Sequence, residues 1–195
     1  MKSDSEILEE AERAFDESQS KKARTLLAPL IEREVPAAIL LDCEYGGADV
    51  PEEESGRRYM EGVLRAAELG DARARYRLGV WYDYGEFEEY GVAQDKVRAS
   101  EIFKSLAEEG DAHCLHIYAC ELLWGLGSFE ADVDLGMEKL RAAIDGGSSD
   151  ACMVLAKIYN DGEFGLSVNL LERDRLRTQA KELAGEDGYI YDPYA

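Results

Sequence analysis

Apolar and small residues along this chain recur at offsets of four and three, and the same phrase of offsets returns several times. One copy runs Ala74, Leu78-Gly79, Tyr82 and Gly85, the next Cys114, Tyr118-Ala119, Leu122 and Gly125, and a third Ala151, Leu155-Ala156, Tyr159 and Gly162. An earlier, weaker copy is Ala37, Leu41-Asp42, Tyr45 and Ala48, so the starting residues lie 37, 40 and 37 positions apart. Between copies sits a second phrase: Asp95, Arg98-Ala99, Phe103, Leu106-Ala107 and Gly110 match Asp132, Leu135-Gly136, Leu140, Ala143-Ile144 and Gly147 position by position. The stretches 58–70 and 22–34 follow it more loosely, the latter ending in Glu34 where the others end in glycine. Offsets of four and three put side chains on one helical face, and a period in this range marks a repeat array. Each repeat is therefore predicted to be a pair of amphipathic helices.

The punctuation agrees. Gly70, Gly110 and Gly147 stand where a helix ends in a left-handed residue, and Asp71, Asp111 and Ser148 follow as N-caps of the next helix. Asp95, Asp132 and Asn169 are expected to cap the second helices. The pattern predicts helices near 4–16, 20–34, 36–46, 54–69, 71–84, 94–109, 111–125, 132–146, 149–161 and 169–184. They group into hairpins over about 4–34, 36–70, 71–110, 111–147 and 148–184, one repeat domain over 1–184, followed by an acidic, tyrosine-rich tail at 185–195. The glycine- and tyrosine-rich run at 78–91 lies inside this frame. Its glycines serve a helix–helix contact and a loop, and no strand precedes them as a phosphate-cradling loop would need.

The frame A-xxx-LG-xx-Y-xx-G followed by G-V-xx-D-xx-(K/R)A-xxx-F-xx-(A/L)A-xx-G resembles the Sel-one-like (Sel1-like) repeat, a relative of the tetratricopeptide repeat. Residues 74–110 carry it nearly letter for letter, including Gly91-Val92, Asp95 and Arg98-Ala99; 37–70 and 114–147 match more loosely, and 151–184 in its first helix. The resemblance implies an all-α, right-handed α/α superhelical solenoid of about five helical hairpins, whose first helices line a concave surface used to bind other proteins. Some secreted relatives staple each hairpin with regularly spaced cysteine pairs. Here Cys43 and Cys120 occupy equivalent slots in different repeats and Cys114 is six residues from Cys120, so that pattern is absent.

Composition narrows the partner. The 195 residues carry 42 acidic against 22 basic side chains, a formal charge of −20, which repels nucleic-acid phosphates and anionic membranes and favours a basic protein. The opening MKSDSEILEE has no apolar stretch of signal-peptide length and no segment approaches a membrane span, so a cytoplasmic protein, monomeric or weakly dimeric, is expected. The four cysteines, Cys43, Cys114, Cys120 and Cys152, include no CxxC pair and read as free thiols.

Candidate contacts on the first helices are Arg73, Tyr76, His113, His116, Met153 and Lys157, with Tyr84, Phe87 and Tyr90 as aromatic anchors or core residues of the loop. His113, His116 and Cys120 share one helical face and are suitable zinc or copper ligands. No fourth ligand is visible, and the expectation is no metal, no cofactor and no catalytic residue. A cysteine nucleophile beside these histidines lacks an electropositive setting. The acidic clusters Glu52–Glu54 and Glu86–Glu89 read as solvated charge. The leading expectation is a non-catalytic interaction module, of the kind that includes bacterial adaptors and immunity or antitoxin-like inhibitors among the relatives. The alternatives are a hydrolase of β-lactam or cell-wall type, for which no Ser-xx-Lys phrase stands in a plausible site, and a self-associating scaffold.

Overall fold

The computed structural model of the chain describes residues 2–45 and 51–185. Among them lie ten α-helices and a 3-10 turn at Glu88–Tyr90. Apart from one bridging pair, Phe87 with Val92, they contain no β structure. Helix ends fall within two residues of those predicted from the pattern. No helix of the described residues is long and apolar enough to cross a membrane. The tyrosine-rich tail at 186–195 lies outside the described residues, as does Ala48 of the weakest repeat copy.

The chain divides into two compact units, Met1–Asp95 and Lys96–Ala195. The first holds α1 (Asp4–Asp16), α2 (Ser20–Glu32), α3 (Pro36–Tyr45), α4 (Glu52–Glu68) and α5 (Ala72–Tyr84). Ser3 opens α1 with a capping box in which its hydroxyl and the Glu6 carboxylate each accept from the other residue's backbone N–H. One apolar cluster joins α1, α2 and α3 through Ala11, Phe15, Leu27, Leu30 and Leu41. A second joins α3, α4 and α5 through Leu40, Cys43, Met60, Val63 and Trp81. The α3–α4 crossing is very close: a methyl group built on Gly62 would sit 2.4 Å from the Cys43 Cβ.

The second unit holds α6 (Lys96–Glu108), α7 (Ala112–Trp124), α8 (Val133–Asp145), α9 (Ser149–Asp161) and α10 (Leu170–Ala184). Its core is built from Ala119, Leu123, Leu140, Leu155, Ile158 and Leu176. The small residues of the repeat frame, Ala119 and Ala156, are fully buried where the helices meet. Asp132 and Asn169 cap α8 and α10 as the pattern predicts.

The turn between successive hairpins is the same device each time. Gly70 has φ +93°, its N–H donates to the Ala67 carbonyl and that of Asp71 to the Ala66 carbonyl, a Schellman closure. Gly110 and Gly147 close α6 and α8 in the same way. At the degenerate repeat the geometry persists without glycine. Glu34 takes φ +57°, with Val35 N–H donating to the Leu30 carbonyl and Glu34 N–H to that of Ile31.

Candidate functional site

Two exposed regions, one in each unit, contain the side chains of interest. In the first unit an open cleft of about 590 Å³ is lined by Glu12 of α1, Glu44 and Tyr45 of α3, Tyr59 of α4, and Arg73 and Arg77 of α5. Arg77 forms an ion pair with Glu44 and donates to the Tyr59 hydroxyl, with its guanidinium 5.9 Å from the Tyr59 ring centre. Tyr45 stacks on Phe15, centroids 5.0 Å apart, and stays 39% exposed. Arg73, predicted as a contact, is exposed on this wall, and Tyr76 is half-buried one turn further along α5.

The cleft also exposes the edge of Cys43, whose thiol donates to the Leu40 carbonyl at 3.1 Å. Burial, reinforced by the Glu44 charge, pushes its pKa up to about 12, so at neutral pH it is a thiol rather than a nucleophilic thiolate. The cleft presents ion pairs, phenol hydroxyls and an exposed aromatic ring.

In the second unit Asp111 caps α7 by accepting from Cys114 N–H at 2.7 Å, and Ser148 caps α9 by accepting from Ala151 N–H at 3.2 Å. These caps start the two helices in the same phase, so His113 and Asp150 each occupy the second helical position, and His116 follows one turn on. The structure brings these three together, with one ligand atom of each within 4.8 Å of the others. His113 Nδ1 stands 3.5 Å from Asp150 Oδ2, and the two imidazole rings are 5.9 Å apart at 53°. His116 is the deeper ring: its Nδ1 is buried with no hydrogen-bond partner. Desolvation lowers its pKa, against the opposing pull of Asp150. Cys120, grouped with the histidines on sequence spacing, is not part of this cluster. Burial, then the charges of Glu121 and Asp150, raise its pKa to about 12.

Two predicted contacts on this face take other roles. Met153 is buried, packed with Cys152 and Ala180 against α10, because α10 covers that side of α9. Lys157 is exposed but held by Asp161 at 2.8 Å and Glu163 at 3.4 Å, and the Asp161 hydrogen bond leads in raising its pKa. Tyr84, expected in the loop, is instead the last residue of α5 and is 71% exposed, as an anchor would be. Phe87 is instead a core residue, its ring 4.3 Å from Trp81 and 6.2 Å from Tyr59. Tyr90 lies between the two cases, 37% exposed with its ring 6.0 Å from Phe87.

No family profile matches the sequence, and no curated protein is similar to it. Solved structures are similar in fold. A Sel1 repeat protein from Oxalobacter formigenes superposes with a TM-score of 0.66 at 23% identity, over 84% of this chain and 64% of its own. A protective antigen of uropathogenic Escherichia coli displaying an SLR fold gives 0.64 at 21% identity, over 89% of this chain and 37% of its own. The chain therefore spans less than two thirds of the length of either. With its in-phase repeat frame, its Schellman-closed hairpins and these two superpositions, the chain has the Sel1-like repeat fold.

Proposed function

We propose that this chain is a non-catalytic protein-binding module that takes a basic protein segment on the exposed faces of its first helices, in the manner of an immunity or antitoxin-like inhibitor or an adaptor. The observation that carries this is the cleft of about 590 Å³ in the first unit, walled by Glu12, Glu44, Tyr45, Tyr59, Arg73 and Arg77. Sel1-like repeat folds are generally protein–protein interaction modules, and such a groove offers the aromatic and arginine side chains that anchor interfaces. The −20 charge accelerates encounter with a basic partner and disfavours nucleic acid and anionic membranes. Self-repulsion from that charge favours a monomer or weak dimer, and we place the chain in a cytoplasmic setting. The thiol that edges the cleft, held near pKa 12, lends nothing to a hydrolase reading.

The test is capture of partners from native lysate at low salt on the immobilised chain, with a charge-matched acidic protein as control, then calorimetry of the purified partner against Tyr45→Ala and Arg73→Ala. Loss of at least about tenfold in affinity is expected, since truncating an interface anchor costs more than about 1.4 kcal/mol. Wild-type affinity in both variants, or the same proteins retained by the control, overturns the proposal. Toxicity of the partner when expressed alone separates an immunity role from an adaptor role.

A further inference from the structure

We propose that His113, His116 and Asp150 form a site for one divalent transition-metal cation of the zinc class, held between the N-terminal parts of α7 and α9. The ligand chemistry is specific: two imidazoles and one carboxylate suit zinc and its first-row neighbours, whereas hard cations such as magnesium and calcium take oxygen ligands. The geometry suits the same class. Zinc bound at about 2.0–2.2 Å holds tetrahedral ligands roughly 3.3–3.6 Å apart. His113 Nδ1 and Asp150 Oδ2 already stand at 3.5 Å, longer than a good hydrogen bond, and the whole set falls within 4.8 Å. Small side-chain rotations close the remainder.

A second, independent observation points the same way. His116 Nδ1 is buried without a hydrogen-bond partner, a costly state for an imidazole nitrogen. With the proton on the other nitrogen it offers a lone pair, and a cation supplies the missing partner. Burial lowers the pKa of this ring, which favours the neutral form that binds metal. Asp150 and His113 are charged groups that act on His116. Both helices are held in phase by their caps, Asp111 and Ser148, so the site sits on rigid elements rather than a loop. Three protein ligands leave a coordination position for water.

The experiment uses the full chain after chelator treatment, titrated with zinc chloride by calorimetry in excess magnesium chloride, which occupies the diffuse acidic surface without competing for imidazoles. Cobalt chloride replaces zinc in a parallel run, to give the visible absorption of a four-coordinate cobalt centre. One zinc per chain is expected. His113→Gln, His116→Gln and Asp150→Asn are each expected to weaken binding by at least about tenfold, and Cys120→Ser should leave it unchanged. His113 is exposed and Asp150 half-buried, so their variants remain decisive if His116→Gln loses helical circular dichroism. No saturable zinc binding over magnesium, or wild-type affinity in both His113→Gln and Asp150→Asn, overturns the site. The probe is the metal alone, so the outcome is independent of the protein-partner proposal.

Discussion

Gly62→Ala tests the α3–α4 crossing by the sign of its effect. In an exposed helix interior glycine to alanine stabilises by up to about 1 kcal/mol. Here the new methyl would stand 2.4 Å from the Cys43 Cβ and 2.7 Å from its Sγ, where carbon atoms at contact stand about 3.5–4.0 Å apart. The shortfall from Cβ is about 1.1 Å, and a Cβ cannot swing aside because it is bonded to the backbone, so α3 and α4 must separate. Overpacking of this kind costs about 1–3 kcal/mol, which outweighs the propensity gain and leaves a net loss of about 1–2 kcal/mol. The reporter is Trp81, 4% exposed in the same cluster. It is made the sole tryptophan by Trp124→Phe, since the chain has two. At urea slopes of about 1–3 kcal/mol/M the midpoint should fall by roughly 0.3–2 M. Combining Gly62→Ala with Cys43→Gly should reveal a coupling of about 1 kcal/mol or more. A raised midpoint for Gly62→Ala would refute the close approach.

Glu34→Gly, made in an Arg65→Ala background to remove the exposed ion pair between them, should stabilise the first unit by up to about 1 kcal/mol in urea melts, because Glu34 sits at φ +57°; destabilisation would contradict the left-handed closure. Asp111→Ala should cost about 1 kcal/mol through loss of the α7 cap, read as an earlier transition of Trp124 fluorescence in a Trp81→Phe background. Cys43 and Cys120, at about 12, should react with iodoacetamide near pH 8 roughly a thousandfold more slowly in the native chain than in urea, and labelling at the unfolded rate would be inconsistent with their burial. The native state keeps thiol protons that the unfolded chain releases above about 9, so these groups contribute stability below that pH, and it is lost as pH climbs through about 12.

The helical hairpins were legible in the sequence because every feature that sets them is local. The offsets of three and four, the glycine at each closure and the aspartate or serine after it act within about five residues of one another. The Glu34 closure shows the limit of that logic: the sequence lacks the glycine, yet the turn forms, since packing of Leu27, Leu30 and Leu41 outweighs one strained residue.

The candidate sites were legible only in part. His113 and His116 were visible as neighbours on one helix, and Asp150 stood in the slot of His113 one repeat later, 37 residues on. Equivalent slots of stacked repeats lie side by side, and that correspondence is the signal that identifies the third ligand, whereas spacing on one helix suggested Cys120. Phe87 carries no mark that separates a core ring from an exposed anchor; the loop folding back onto Trp81 and Tyr59 decides it.

Fold class, helix ends, caps and repeat phase were thus determined by the sequence alone, since each depends on hydrogen bonds and side-chain periodicity within a single turn. Which side chains from different helices meet was decided only by the tertiary structure. The Arg77–Glu44–Tyr59 cluster, the 2.4 Å approach at Gly62 and the His113–Asp150 pair all depend on how one helix is rotated and seated against the next. That seating is a property of packing summed over many buried side chains, with no local pattern to announce it.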